Sequence, residues 1–588
     1  MASPPSLERA LGDPREHGAP AGHRATLTSD ERRELPSDVE QALVDWGFGA
    51  ELVPVSLGGR WRSTEDLVRR LLPIFRRDPA IGLGHGVTSL MAAVNVWTGG
   101  SEAQQQELAA RLLSGARVAV AFHELDHGND LLRNECVAVR ENDAPAWRIS
   151  GRKEVINNIN RAESVLLFVR TAPAAGPKSF SLLLWHKDQA LGGRARTDER
   201  VLTAGVRACQ IGVAELDQLR IPADALVAGV GDGAAVALRA FQVTRAVVPA
   251  LATGTVDAAL RLAVQYLRGR HLYGSPAWEL PHAQGTLARA WGTFLVADAL
   301  ARATVRALHL HPDECFVVTA ASKYLVPTLI NDVMHELSVL FGSTFYAVSD
   351  DYGVFEKWLR DLIVLPIGHA GSTACLVSIV PHLPSWARRS RKGTPYDSRL
   401  FSPHTELDEV DFSHFGLGAG HGDSFSAPLE SDVVAAALAE AWPDLVPVLG
   451  RWRVELELVR DEVSCLSPQE LAPGASPRAF ALARRLTQLM AAGAVIGSWH
   501  EGRGVHSSPF HRHPSAFPLA LHLLSESLPG GPSGRTGLDP DVWAGFDVGA
   551  MAAAVAAAVD SGFSLGIEEL PLHWTTTIHA PTQGSREA

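Results

Sequence analysis

Cysteine is scarce and unpaired in pattern. The five residues Cys136, Cys209, Cys315, Cys375 and Cys465 are scattered, odd in number and without a CxxC pair. That excludes a disulfide scaffold and a zinc knuckle, and it leads us to expect a reducing, cytoplasmic setting. Positive charge is in deficit: the chain carries −12 at pH 7, which disfavours a nucleic-acid partner. The first residues hold no apolar segment of signal-peptide type; Pro, Glu, Arg and Ser dominate, so 1–37 is expected to be a flexible leader. The bland apolar run Val548 to Val559 is too short to span a bilayer, and no membrane span is expected. No HExxH motif accompanies His500, His506, His511, His513 and His522, so no metal site is expected. Gly229-Val-Gly-Asp-Gly233 is no dinucleotide fingerprint, because no βαβ unit surrounds it.

What is present is ordinary globular material, 588 residues long with 46% apolar and 20% charged residues. That length corresponds to roughly three or four domains. Leu67, Leu71 and Ile74 form one helical stripe within 38–116. The period then shortens. Val118–Phe122, Cys136–Val139, Ser164–Val169 and Ser179–Trp185 are short apolar runs between polar turns, marking a β unit over 117–226. Long helical patterns return over 227–385, carrying Leu238, Phe241, Val248, Leu260 and Val264, then Leu287, Trp291 and Leu295, then Val326, Ile330, Val333 and Leu337. Such helices pack as a four-helix bundle, and Pro249 should kink the first. The Pro, Ser and Arg content of 386–430 suggests a linker, and 431–588 an extra helical domain. The expected class is α+β, mainly α: an N-terminal helical domain, a central β-barrel-like domain, a four-helix bundle and an extra C-terminal helical domain.

Six strings then occur in a telling order. They are Gly99-Gly-Ser-Glu-Ala-Gln-Gln-Gln106 with Leu112-Leu-Ser-Gly115; Phe122-His-Glu-Leu-Asp-His-Gly-Asn-Asp130; Gly151-Arg-Lys-Glu-Val-Ile-Asn-Asn158; Leu219-Arg-Ile-Pro222 before Gly229–Gly233; Arg270-His-Leu-Tyr-Gly274; and Trp358-Leu-Arg-Asp361. Together they resemble the acyl-CoA dehydrogenase and acyl-CoA oxidase superfamily over about residues 40–380. The resemblance implies an FAD-dependent oxidoreductase that dehydrogenates an acyl thioester, carried by CoA or an acyl-carrier protein, of the kind met in specialised metabolism. It also implies electrons passed to an electron-transfer flavoprotein or to dioxygen, and a homo-oligomer.

The resemblance assigns residues, and several depart from the family pattern. Phe122, His123, Val155, Asn157, Arg270 and Tyr273 fall at cofactor positions. His123 stands where the family has a flavin-bonding threonine, Val155 where a tryptophan packs beside the ring system, and Asn157 where a second threonine lies. Arg270 keeps the arginine that meets the pyrophosphate, with Tyr273 as its aromatic partner. Asn129 and Thr244 fall at substrate positions, and Arg245 on a helix face directed at the reacting centre. The catalytic glutamate is missing. One alignment puts His369 at its position; another puts Ala370. The alternative site for a base, just before the helix arginine, is occupied by Thr244. Histidine can act as a base near neutrality. Without one, the scaffold would suit oxidase or monooxygenase chemistry, or serve as a non-catalytic binding subunit.

Overall fold

The computed structural model describes residues 6–16, 18–347, 352–368, 370–402, 404–472, 474, 476–504, 508–528 and 545–574. The candidate base His369 lies outside them.

Helix Thr64–Arg77 starts where the Ser63 hydroxyl accepts the Asp66 N–H at 3.1 Å, satisfying one orphan donor of the first turn. Its expected stripe of Leu67, Leu71 and Ile74 is buried. Helix Glu102–Leu113 opens with a reciprocal cap between Ser101 and Gln104. The Gln104 amide also reaches the carbonyls of Asp224 and Leu226 at 2.7 and 3.1 Å, tying this helix to the exit of the β unit.

The β unit is an eight-stranded sheet in the order β6-β7-β3-β2-β4-β5-β8, with β1 (Val118–Ala121) paired parallel to β4 (Ser164–Arg170). Its longest ladder joins β3 (Ala146–Asn157) to β7 (Ile211–Pro222), antiparallel. The remaining strands are β2 (Val137–Arg140), β5 (Phe180–His186), β6 (Gly192–Arg196) and β8 (Leu226–Val227). Trp147, Ile149, Val165, Leu167, Leu183 and Ile221 belong to a core of its own, separate from that of the helices.

Three long helices, Gly233–Gly269, Pro281–Leu310 and Cys315–Phe341, form the bundle with a broken fourth column, Ser372–Ile379 and Leu383–Ser390. The Gly233–Gly269 helix runs through Pro249 without interruption, held by burial on nearly every side. The β unit docks on it where Phe122 meets Phe241, ring centroids 5.9 Å apart.

Two segments differ from expectation. Residues 6–16 and 18–37 are packed: Leu7 and Leu11 are buried, and Glu8 pairs with Arg76 and Arg77. The expectation of a free leader rested on composition, which does not register that Glu8 neutralises two buried arginines. Residues 386–430 form a packed strap, with Leu400, Phe401, Phe412, Phe415, Phe425 and Leu429 in the main core. Beyond it, helices Val446–Ser464, Pro477–Gly502, Ala516–Ser525 and Val548–Asp560 share that core. Helices Pro79–Gly99, Gly233–Gly269 and Pro477–Gly502 are long and apolar enough to cross a membrane by length and composition, which the short 548–559 run is not; all three are packed largely inside the protein.

Candidate active site

The loop after β1 is built around a buried ion pair. The Glu124 carboxylate accepts the backbone N–H groups of Glu135 at 2.7 Å and Cys136 at 3.1 Å, and Lys153 Nζ at 2.7 Å. Burial raises the Glu124 pKa, but the charge of Lys153 and these donors outweigh it and leave it below the ordinary value. Glu124 and Lys153 therefore hold the loop's shape. The backbone beside them is turned outward: His123 C=O accepts from Glu154 N–H at 3.0 Å, and the next residue, Val155, adopts φ +58° at an irregularity in the β3–β7 ladder. A β-branched residue with positive φ is strained, and strain of this kind gathers at functional sites.

Next to it, Asn157 Nδ2 donates to Leu83 C=O at 2.7 Å and to Thr88 Oγ1 at 3.3 Å, while Asn158 Nδ2 donates to Gly84 C=O at 2.8 Å. Both amides stitch the end of β3 to the π-helical turn Leu83–Val87. Asn157 Oδ1 and His123 Nδ1 are buried and have no partner. An acceptor and a ring nitrogen left bare at the mouth of the β unit suit a ring edge that carries both N–H and C=O groups, which is the chemistry of a flavin edge. On that observation the residues present fit the flavin that the sequence implies.

Phe122 is buried between Phe168 and Phe241. Thr244 is buried on the same helix and donates to Phe241 C=O at 3.1 Å. Asn129 is exposed, and its Nδ2 would lie 3.0 Å from a Cβ placed on Gly371, so the β-unit loop abuts the segment that leads into helix Ser372–Ile379. Ala370 in that segment has φ +62°.

Arg245 is 2% exposed. Its Nη2 donates to Ser378 Oγ at 3.3 Å, and its guanidinium lies 5.8 Å from the Phe241 ring and 6.0 Å from the Phe316 ring. Its Nε and Nη1 have no partner. No carboxylate faces it among the described residues; burial pushes its pKa down, with the Cys375 thiol nearby opposing it. Buried Lys323, on helix Cys315–Phe341, shares these surroundings and donates to Leu365 C=O. Burial, aided by the charge of Arg245, pushes its ammonium down to about 8. Lys323, Ser378 and Cys375 were not singled out from sequence. A lone lysine in the apolar stretch Thr319-Ala-Ala-Ser-Lys-Tyr-Leu-Val326 was the available signal.

Arg270 and Tyr273 do not join this group. Both are exposed, Tyr273 at 96%, on the small hairpin of His271–Leu272 and Ser275–Pro276 that follows the long helix. Arg245 and Arg270 are separated by about 37 Å of helix at 1.5 Å per residue. Within one chain, Arg270 thus lies far along the helix from Arg245.

Residues 231–381 match the family model described as the acyl-CoA dehydrogenase C-terminal domain. A probable acyl-CoA dehydrogenase of Mycobacterium tuberculosis is 27% identical over 348 residues, 59% of this chain and 87% of the relative. The solved structure of a probable acyl-CoA dehydrogenase from Mycobacterium abscessus superposes with a TM-score of 0.56 at 22% identity, covering 63% of this chain and 94% of that one. The family model, over residues 231–381, and the curated relatives both point to the acyl-CoA dehydrogenase superfamily. A prolyl acyl carrier protein oxidase shares the fold at TM-score 0.55 and 17% identity, over 59% of this chain and 91% of its own. That similarity supports an oxidoreductase. The fold class expected from sequence, mainly helical with a central sheet, is the observed one.

Proposed function

We propose that the protein is an FAD-dependent oxidoreductase that dehydrogenates an acyl thioester, presented by CoA or a carrier protein. The observation that carries this reading is the two bare, buried polar atoms on the β unit, His123 Nδ1 in the loop after β1 and Asn157 Oδ1 at the end of β3. A bound flavin would supply the acceptor for a hydride equivalent from the acyl β-carbon. His123 and Asn157 hold the ring edge. Phe122 and Phe241 wall the junction with apolar surface and keep water from it. Arg245, hydrogen-bonded to Ser378, brings positive charge to the acyl side of the site. His369 is the proposed acceptor of the α-proton. Arg270 and Tyr273, exposed far along the helix, serve the dinucleotide arm bound by a second copy of the chain. Electrons then pass to an electron-transfer flavoprotein or to dioxygen.

A second reading, oxidase or monooxygenase chemistry on the same scaffold, is favoured by one observation: no carboxylate stands beside Arg245 among the described residues.

The purified protein should be yellow, with flavin bands near about 370 and 450 nm. A colourless protein that takes up no added FAD would overturn both readings. If the protein is yellow, anaerobic mixing with acyl thioesters should bleach the flavin. His369→Ala should slow that bleaching by about 10²–10⁴-fold, the usual worth of a general base. Unchanged bleaching would remove His369 from the mechanism, and a bleached flavin that admitted dioxygen rapidly reoxidises, with release of hydrogen peroxide, would favour the oxidase form of the second reading.

A further inference from the structure

Buried cations in this protein follow a rule with two exceptions. Among the described residues, Arg76, Arg77, Lys153, Arg261, Arg306, Lys357 and Arg460 are buried, and each has a carboxylate within ion-pair distance. Buried charge is costly unless paired, so the pattern is expected. Arg245 and Lys323 are just as deeply buried and have no carboxylate partner. The two exceptions are neighbours. They sit on adjacent bundle helices, Lys323 feels the charge of Arg245, and both act on Cys375 of helix Ser372–Ile379. Two of the three Arg245 guanidinium nitrogens are bare. Ser372 Oγ, at the first position of that third helix, is also buried without a partner.

Chance burial of one unpaired cation has simple remedies: a neighbouring acid, or replacement by an apolar residue. Neither has happened here, at two adjoining positions, at the place where the bundle meets the candidate active site. A neutral acyl chain would leave both charges without a counter-ion. A neutral thioester carbonyl would use one donor. A carboxylate balances charge and fills the bare N–H groups.

We propose that Arg245 and Lys323 form a buried anion site that takes a carboxylate carried by the acyl group, so that the substrate is the thioester of a dicarboxylic acid. This deepens the acyl-thioester reading and rests on it for the source of the carboxylate. The site itself stands on the unpaired cations alone. Arg245 and Lys323 are then specificity residues, and the missing acid at the family's base position is what leaves their charge available.

The test uses the full-length protein in two arms. In the first, thermal unfolding is followed with sodium glutarate and, at matched ionic strength, sodium chloride. Glutarate should raise the melting temperature saturably and chloride should not. Arg245→Met and Lys323→Met should each lose the glutarate effect. Because Arg245 has no carboxylate to strand, Arg245→Met should melt no lower than wild type without ligand, unlike removal of a paired cation. No saturable rise in wild type, or the same rise in both variants, overturns the site. In the second arm, calorimetry compares glutaryl-CoA with pentanoyl-CoA. Preference for glutaryl-CoA should be about tenfold or more, the worth of a charge-assisted hydrogen bond, and should vanish in Arg245→Met. Equal affinity for the two thioesters overturns this inference and leaves the thioester reading intact. Glutarate stabilisation with no binding of either thioester keeps the anion site and puts the failure on the thioester reading.

Discussion

His309 shows how a single ring nitrogen couples this fold to pH. Thr64, the first residue of helix Thr64–Arg77, donates its backbone N–H to His309 Nε2 at 3.0 Å. The nitrogen must therefore be unprotonated, and burial pushes the His309 pKa from 6.5 down to about 4. A histidine depressed in the fold binds its proton more readily when unfolded, so its contribution is fully present above pH 6.5 and is lost as pH falls from 6.5 to about 4. The slope reaches at most about 1.4 kcal/mol per pH unit for one group. Urea midpoints measured from pH 7.5 to 4.5 should fall, and His309→Gln, whose amide oxygen can accept the same N–H, should flatten the curve. A variant curve parallel to wild type would show that His309 does not couple to folding. None of this was legible in the sequence, where His309 is one histidine in an apolar helix. The site residues were legible where they sit in contiguous strings: the loop from Phe122 to Asp130 and the segment ending in Asn157 and Asn158. Arg245 was found on its helix face, directed at the reacting centre, but not as a cation without an acid. Its lack of an acid is a fact of three helices meeting, and no local pattern records it.

At the scale of elements, the sheet shows what hydrophobic patterning finds and what it passes over. β4 and β5 are buried along nearly their whole length and read as apolar runs. β3 and β7 form the longest ladder, yet they alternate apolar and charged residues, as in Arg148-Ile-Ser-Gly-Arg-Lys153, and no apolar run marks them. The strap at 386–430 was misjudged for a related reason: its phenylalanines are spaced singly among Ser, Gly and His, so composition outweighed them. Packing of that strap depends on one close approach. A Cβ on Gly493, in the middle of helix Pro477–Gly502, would lie 1.7 Å from the Phe425 carbonyl oxygen. Backbone occupies the space that the methyl group needs, so no rotamer relieves the clash. Gly493→Ala gains about 1 kcal/mol in helix propensity, but it should still destabilise the protein by about 1–3 kcal/mol, the usual cost of overpacking. It should also open the strap to protease before the bundle unfolds. Limited proteolysis that cuts wild type and variant alike within 386–430 would argue against the contact.

The whole molecule differs from a family-length chain because its C-terminal helices are built into the bundle. Trp291 is fully buried on helix Pro281–Leu310, and its Nε1 donates to Leu565 C=O at 3.0 Å. Asp298, on the same helix, accepts Ile567 N–H at 2.8 Å and pairs with Arg302, which also meets Glu568. Gly292 lets Leu519 and Leu523 approach so closely that a Cβ there would clash with both. These contacts cover an apolar face of Pro281–Leu310 with residues 519–523 and 565–568. A face covered by the chain's own C-terminus is closed to a second copy. An assembly that brings Arg270 and Tyr273 to a neighbour must therefore use another side of the bundle. It follows that a chain cut after residue 381, where the family match ends, loses its cover without gaining a partner. Such a truncation should expose Trp291 and the leucines around it, aggregate in light scattering, and bind a hydrophobic dye that the full-length protein excludes. The intact chain should unfold in one transition, because strap, bundle and C-terminal helices share a single core. A truncated chain that stays monodisperse and unfolds cooperatively would mean that the C-terminal helices are an appended domain, and the face on Pro281–Leu310 would then be free to pair with another copy.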